Sequence, residues 1–247
     1  MIERLIADDM AILTLARPER GNALSESMVE TLIEAVTDCI GSPHIHTLVL
    51  AADGRHFCTG FDTGEVPEAG APSPRSAQDG ALLWRFVRIE HLLALLWHAP
   101  LRTVAVAHGR TWGAGADLFA TCDVRFAAAD AQWRFPGVGF GLVLGSRRLG
   151  ACVGEDVALT WLTEGRTIGA EDAVRCGLAT ALVPDAALWK SHLGPPAVTR
   201  DTHARLKAAM RPDQRDADLA ALVRSAAEPG LAERIARYRQ AVMAARS

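Results

Sequence analysis

The stretch that decides the fold reads His-Gly-Arg-Thr-Trp-Gly-Ala-Gly-Ala-Asp-Leu-Phe-Ala-Thr-Cys-Asp and occupies residues 108–123. It follows an apolar run, Thr103 to Ala107, that is typical of a buried strand, and it leads into Ala116 to Cys122, which has a helical pattern. Gly113 and Gly115 permit a sharp turn and a close backbone approach to a ligand. The pattern therefore predicts a strand, a tight turn and a helix in succession.

This joint also suggests a chemistry. The first turn of a helix leaves N–H groups without acceptors, and such groups suit an oxygen that becomes negative during a reaction. Asp117 follows Ala114 by three residues, so it lies on the same side of the helix as these amides, and their proximity favours its ionised form. Asp117 is then a candidate base; the alternative is an acid that only stabilises the start of the helix.

Composition limits the class of protein. The 247 residues are 49% hydrophobic and 22% charged, with a formal net charge of −3, which is typical of a soluble α/β protein and argues against a nucleic-acid partner. No Cys-x-x-Cys pair occurs, so we expect free thiols in a reducing compartment and a cytoplasmic location. The acidic N-terminus lacks a signal pattern, and charges interrupt the most apolar helix candidate, Leu82 to Trp97, so we expect no membrane span.

Strand and helix patterns alternate along the first half of the chain. Ile2 to Leu15 predicts a hairpin around Asp8 and Asp9, and Ser25 is a good N-cap for a following helix. Thr47 to Ala51 predicts a buried strand, and a second small-residue corner, Phe57 to Asp62, comes shortly after it. Because parallel strands collect ligands at their carboxyl ends, both corners are expected to border one site.

From Gly64 onward the sequence predicts a loop, a strand and then several helices. Gly64 to Gly80 has no periodicity and is expected to be a loop, either a lid over the site or plain disorder. Further on, the strand Asp123 to Ala128 precedes an acid-free, glycine-punctuated segment. Helices are predicted over Arg147 to Leu162 and Ala170 to Cys176, a short apolar run over Leu178 to Val183, and helices after Pro196 that break at Pro212 and at Pro229-Gly230.

Four separated motifs together resemble the crotonase, or enoyl-CoA hydratase/isomerase, family. They are Arg17-Pro18-Glu19-Arg20-Gly21-Asn22-Ala23-Leu24, Phe57 to Asp62, Gly109 to Asp123, and Gly165-Arg166-Thr167-Ile168 with Ala170, Ala173 and Gly177-Leu178. The resemblance implies a core of spiralling ββα units over residues 1–195 and a C-terminal helical region over residues 196–247 that supports trimers or hexamers. It also implies an acyl-CoA thioester substrate, with coenzyme A arriving as part of that substrate, no bound cofactor and no metal ion.

By the same resemblance, the backbone amides of Phe61 and Ala114 form an oxyanion hole for the thioester oxygen. Arg20, Ala23 and Lys207 match positions near which the family binds coenzyme A. Trp112, Trp133 and Phe135 either line the acyl pocket or fill the core, a choice that the sequence leaves open.

The chain departs from the family's hydratases at their two glutamates. Asp117 occupies the first position and Gly137 the second, so water addition by two carboxylates lacks a partner. Glu90 and His91 are candidate replacements or simply exposed helix charges, and Cys58 is expected to be a buried spacer rather than a nucleophile. His108 replaces the family's usual Asn, with a packing or hydrogen-bonding role expected.

The resemblance therefore predicts an enzyme of acyl-CoA metabolism that shifts a double bond, an isomerase or related lyase, with Asp117 as the single acid/base. Two alternatives remain open at this point. One is an acyl-CoA-binding protein without catalysis. The other is a decarboxylase or thioester hydrolase that needs only the oxyanion hole.

Overall fold

A computed structural model describes residues 1–65 and 74–244 of the chain. The strands, in chain order, are β1 (Ile2–Ala7), β2 (Met10–Leu15), β3 (Thr47–Ala52), β4 (Arg102–Ala107), β5 (Arg110–Trp112), β6 (Val124–Ala128), β7 (Gln132–Arg134), β8 (Ile168–Gly169) and β9 (Ala181–Val183). The α-helices are α1 (Glu26–Gly41), α2 (Arg75–His98), α3 (Ala114–Thr121), α4 (Ser146–Val153), α5 (Glu155–Glu164), α6 (Ala170–Arg175), α7 (Trp189–His192), α8 (Arg200–Met210), α9 (Arg215–Ala226) and α10 (Leu231–Ala244). Short 3-10 helices include Thr63–Glu65 and Pro136–Phe140.

Within the described ranges, the larger sheet has the strand order β1-β2-β3-β4-β6-β9. The hairpin of β1 and β2 is antiparallel and turns at Asp8 and Asp9, as predicted, and the remaining pairs of this sheet are parallel. Strands β5, β7 and β8 form a small second sheet. The mixed α/β class is therefore confirmed.

The two faces of the large sheet belong to different apolar clusters, because side chains alternate along each strand. Leu48 and Leu50 of β3 point into the main core with α1, α2 and α3, whereas Val49 joins a smaller cluster with Trp189 on the opposite face. Helix α1 starts where predicted: the Ser25 hydroxyl accepts a hydrogen bond from the Met28 N–H at 3.2 Å. The two small-residue corners, Phe57 to Asp62 and residues 108–123, lie at the ends of β3 and β4, on the side of α2 and α3.

Three expectations from the sequence need correction. The predicted helix Arg147 to Leu162 is two helices, because Gly154 between them has φ +87° and ends α4. The predicted loop Gly64 to Gly80 is helical at both ends, in Thr63–Glu65 and from Arg75 onward, while residues 66–73 lie outside the described part. The turn after β4 contains an additional short strand, Arg110–Trp112.

The C-terminal helices break at Pro212 and Pro229-Gly230, as predicted. Helices α9 and α10 pack against α2 of the same chain, and α10 also contacts the Pro136–Phe140 turn. Asp79 of α2 accepts hydrogen bonds from the N–H groups of Gly230 and Ala232, which fixes the start of α10. None of the described helices is both long and apolar enough to cross a membrane.

Candidate active site

A cavity of about 570 Å³ lies where the two glycine-containing corners meet. Phe61, Ala114 and Asp117 all line it, so the structure brings these three predicted site residues together. Its apolar wall comes from four parts of the chain: Phe61, Phe86, Phe135, Phe140, Leu142 and Ile235. A pocket of this size and mixed character suits an apolar group that is held by a few polar contacts.

The first corner leaves the Phe61 amide free. Leu24 and Phe61 form an isolated parallel bridge, in which the Leu24 N–H donates to Gly60 O at 2.7 Å and the Asp62 N–H donates to Leu24 O at 3.1 Å. These bonds bypass the Phe61 N–H, which donates to no acceptor among the described residues. Gly60, with φ +93°, makes the turn possible.

The second corner leaves the Ala114 amide free in a similar way. The Gly113 carbonyl accepts from the N–H groups of Ala116 and Asp117, at 2.8 and 3.0 Å, and so begins α3. The Ala114 N–H precedes this first helical bond and has no acceptor in the described part of the chain. It remains available to a ligand in the cavity.

Glycine is required where the two corners touch. A Cβ atom at Gly115 would lie 2.4 Å from Cys58 O, and one at Gly60 would lie 2.6 Å from Trp112 O and 3.4 Å from Ala114 N. Both contacts are with backbone atoms that cannot rotate away. Small residues therefore bring the Phe61 and Ala114 segments next to each other, although 53 positions separate them in the sequence.

Asp117 is buried, with an exposed fraction of 5%, and its carboxyl group forms no hydrogen bond with any described residue. Burial raises the pKa of Asp117 well above its usual value; the nearby Arg148 opposes this rise and Glu90 adds to it. The sequence led us to expect that the helix amides would favour ionised Asp117, whereas burial shifts the pKa of Asp117 in the opposite direction.

Two other carboxyl groups line the described cavity, and both already have partners. Asp62 lies 2.8 Å from Arg17 Nη1 and accepts from the Gly64 N–H at 2.9 Å. Although burial alone would raise the pKa of Asp62, these bonds hold it below its usual value. Glu19 is largely exposed and lies 3.9 Å from Arg17. Of the three carboxyl groups that line the described cavity, Asp117 is thus the one without an ion pair or a hydrogen bond.

Gly137 lines the same cavity and leaves room where the family's second glutamate would stand. A Cβ atom there would meet Leu142 O at 3.6 Å and Leu142 Cβ at 3.9 Å, which are ordinary van der Waals distances. Glu90 and His91, the candidate replacements for the second glutamate, do not line the described cavity. His91 is exposed, and Glu90 is a buried residue paired with Arg148 rather than an exposed charge or a cavity-lining acid.

The structure separates the three residues assigned to coenzyme A. Arg20 and Ala23 line the cavity, and the half-exposed Arg20 side chain lies 3.5 Å from Asp62 Oδ1. Lys207 is buried away from the cavity, where its Nζ lies 3.0 Å from Asp123 Oδ2 and donates to Leu96 O at 3.3 Å. Lys207 therefore holds α8 to the core and does not reach the cavity in this chain.

Sequence reasoning missed two cationic residues of the cavity, Arg110 and Arg239. Arg110 lies within the decisive stretch, and its guanidinium stacks over the Trp112 ring at 4.8 Å from the ring centroid. The position of Arg110, three residues before Gly113, was the feature of the sequence that could have indicated a place in the cavity. Arg239 belongs to α10, and nothing in the sequence connects that helix with the cavity.

The remaining candidates have structural roles. Cys58 is buried, and burial raises the pKa of its thiol to about 12, so it is no nucleophile. His108 Nε2 lies 3.0 Å from Gly54 O, which agrees with a hydrogen-bonding role. Trp112 and Phe135 line the cavity, whereas Trp133 is part of the core.

Comparison with known proteins shows the family of this chain. The sequence model for enoyl-CoA hydratase/isomerase matches residues 6–227, so the chain belongs to this family, the crotonases. A crystal structure of a putative enoyl-CoA hydratase/isomerase from Bordetella parapertussis is 40% identical, covers 96% of this chain and 97% of its own, and superposes with a TM-score of 0.88. The crotonase fold is thereby confirmed.

Relatives known by sequence carry related names. The probable enoyl-CoA hydratase echA6 of Mycobacterium bovis is 30% identical over 205 residues, which are 81% of this chain and 78% of that protein. The mitochondrial enoyl-CoA hydratase domain-containing protein 3 of Danio rerio is 30% identical over 173 residues, 69% of this chain. The match spans only 57% of that relative's length.

Proposed function

We propose that this protein is an acyl-CoA enzyme that shifts a double bond from the β,γ to the α,β position, with Asp117 as its single acid/base. The observation that carries the proposal is that the cavity has a buried Asp117 without a hydrogen-bond partner at the first acid position and Gly137, which has no acid, at the second. Water addition by two carboxylates needs a second acid at the Gly137 position, whereas a double-bond shift needs one group that takes and returns one proton.

The Phe61 and Ala114 amides would receive the thioester oxygen. Ionised Asp117 removes a proton from the α-carbon of a β,γ-enoyl thioester, and the electron pair moves to the thioester oxygen to give a dienolate. Asp117 then returns the same proton to the γ-carbon, which leaves the conjugated α,β-enoyl thioester. The two amide donors stabilise the intermediate, and losing one such donor typically costs about 2.7–4 kcal/mol.

The raised pKa of Asp117 supports this role. A carboxylate that loses its proton in an apolar cavity is a stronger base than one in water, and the α-carbon is a weak acid. Since the base must be ionised, the rate should rise with pH through the raised pKa of Asp117. Arg20 and Ala23 would contact the coenzyme A portion at the cavity edge, with the positive charge of Arg20 facing its phosphates.

The direct test is the conversion of trans-3-hexenoyl-CoA to trans-2-hexenoyl-CoA, followed by the absorbance of the conjugated thioester. We expect turnover by the wild type and a loss of at least about 10²-fold in Asp117→Asn, with substrate affinity retained. Hydration of trans-2-hexenoyl-CoA by the same enzyme should be much slower. Tight binding without turnover would instead indicate an acyl-CoA-binding protein, and rapid hydration would contradict the proposal.

A further inference from the structure

A network of four charged side chains is centred on the buried pair of Arg148 and Glu90. Arg148 is 1% exposed, and its Nη2 and Nη1 donate to the two Glu90 carboxylate oxygens at 2.5 and 3.0 Å. Asp218 Oδ2 lies 3.1 Å from Arg148 Nη2, and Arg147 binds the same aspartate through two hydrogen bonds of 2.7 and 2.6 Å. The network joins α2, α4 and α9 and has no net charge.

Fold stability alone is a weak explanation for this network. Removing an ion pair from water is costly, and apolar residues of similar size often stabilise a core as well or better. None of the four charged residues lines the cavity, so direct substrate binding is no explanation either. The position of the network relative to Asp117 offers a third explanation.

Helix α4, which carries Arg148, packs against α3, which carries Asp117. At its start, Gly145 lies so close to Asp117 that an added Cβ atom would be 2.2 Å from Oδ1. One turn beyond Arg148, the Cys152 thiol donates to Ala120 O of α3 at 3.5 Å. Along α4, Arg148 lies between these two contacts, three residues after the N-cap Gly145 and four before Cys152.

The charged groups around Asp117 come from two of the elements packed on α3. Arg148 of α4 favours the ionised carboxyl group, and Glu90 of α2 disfavours it. Strand β5 carries Arg110, whose guanidinium stacks on Trp112, and β4 carries Arg102, which donates to Gly194 O at 2.8 Å. The charge balance at Asp117 thus depends on how completely Glu90 neutralises Arg148.

We propose that Arg148, held by Glu90 and Asp218, is a positioning residue for Asp117: it fixes the start of α4 against the carboxyl group and supplies the charge that stabilises its ionised form. The inference rests on the proposed role of Asp117 in proton transfer. Glu90 keeps this charge largely compensated, so that Asp117 remains a strong base. Asp218 connects Arg148 to α9 of the C-terminal region.

The test is Glu90→Gln, which preserves the shape of the pair but leaves the Arg148 charge without its main partner. We expect the pKa of Asp117 to fall, so that the acidic limb of the kcat/KM profile moves down by about one pH unit or more, with KM nearly unchanged. The matched control is Glu30→Gln. It breaks an equivalent two-bond pair with Arg88, at 2.7 and 2.6 Å, on the surface between α1 and α2.

A second readout does not depend on activity. The infrared C=O band of protonated Asp117, identified by its loss in Asp117→Asn, is titrated in the wild type, Glu90→Gln and Glu30→Gln. A downward shift in Glu90→Gln alone supports the inference, and identical titrations in Glu90→Gln and Glu30→Gln overturn it. If the band shifts but the wild type isomerises no thioester, the proposed function fails while the positioning role stands.

Asp218→Asn covers the case in which Glu90→Gln does not fold. Asp218 is more accessible than Glu90, and asparagine at this position keeps one acceptor oxygen for Arg147. The acidic limb and the infrared titration should both move in the same direction as for Glu90→Gln, by a smaller amount. An unchanged titration in a folded Asp218→Asn protein would contradict the proposal.

Discussion

Gly145 lies directly against the carboxyl group of Asp117, with space for a hydrogen atom but none for a side chain. A Cβ atom at Gly145 would be 2.2 Å from Asp117 Oδ1 and 2.6 Å from its Cγ, and the Gly145 backbone has φ +67°. Both the contact and the left-handed conformation select glycine. The start of α4 therefore forms a wall that determines where the Asp117 carboxyl group can point.

Gly145→Ala should displace this carboxyl group and reduce kcat for isomerisation by about 10²-fold, because a shift of about 1 Å in an acid/base has effects of that size. Gly165→Ala is the control. Gly165 has a similar backbone, φ +62°, but its nearest neighbour would be Arg134 Nη2 at 3.8 Å. Both variants lose some stability, and only Gly145→Ala should lose activity. Equal kcat values in the two variants would show that the contact has no role in turnover.

Asp117→Asn should stabilise the fold at high pH. Because the pKa of Asp117 is raised in the folded state, the wild type takes up a proton on folding between about pH 4 and the folded pKa, and its stability falls as the pH rises across that range. Asparagine has no such penalty, so the gap in unfolding free energy should widen by about 1.4 kcal/mol per pH unit between the two pKa values. Urea unfolding at several pH values measures it.

The comparison variant is Asp130→Asn, at an exposed position. It measures the effect of an aspartate-to-asparagine change at the protein surface. A pH-independent gap for Asp117→Asn would mean that Asp117 has the same pKa in the folded and unfolded chains.

Gly137→Glu should introduce hydration. In the hydratases that this chain resembles, a second glutamate at this position acts with the first acid on water, and a Cβ atom at Gly137 would meet its neighbours at ordinary van der Waals distances. We expect the rate of water addition to trans-2-hexenoyl-CoA to rise by at least about 10²-fold. Gly137→Gln has the same shape without the acid and should not gain this activity; a gain in both variants would refute the explanation by a missing carboxylate.

Asp123 should be important for stability and not for catalysis. It accepts from the Thr103 N–H at 2.8 Å and pairs with Lys207 and Arg211, at 3.0 and 2.9 Å. Asp123→Asn leaves the buried Lys207 charge without compensation, which should lower the unfolding free energy by about 3–5 kcal/mol. Chemical unfolding at about pH 7 measures the loss; Asp213→Asn, which breaks an exposed pair with Arg215, should have little effect.

This contribution of Asp123 should disappear in acid. Burial by itself would raise the pKa of Asp123, but His203, Lys207 and Arg211 together hold it well below its usual value. The stabilisation is therefore complete above the unfolded pKa of about 3.9 and is lost as the pH falls toward the folded value. A wild-type advantage that persists unchanged in strong acid would contradict this assignment.

The sequence predicted the backbone part of the site well because glycine restricts local geometry. Gly60, Gly113 and Gly115 specify sharp turns and close packing, and the pattern of strands indicated that the two corners meet. Helix limits were harder, since Gly80 is tolerated inside α2 whereas Gly154 ends α4. Local sequence does not distinguish a tolerated glycine from a terminating one, because tertiary packing decides.

The electrostatic part of the site was not predictable. The protonation state of Asp117 depends on burial by α2 and α4, and Glu90 and Arg148 are 58 positions apart, with no pattern that pairs them. Lys207 matched a position associated with coenzyme A, yet its nearest charged partner, Asp123, is 84 positions away. Long-range pairs of charges follow from the folded structure, not from local sequence.

The most direct test of the account is exchange of the α-proton of hexanoyl-CoA, a saturated thioester, in deuterated water, followed by NMR. Exchange requires an acid/base and stabilisation of the enolate but no double bond, so it isolates the chemistry assigned to Asp117 and the Phe61 and Ala114 amides. We predict exchange well above the buffer rate for the wild type and none above it for Asp117→Asn, with both proteins binding the thioester. Equal exchange by the two proteins would contradict the central claim.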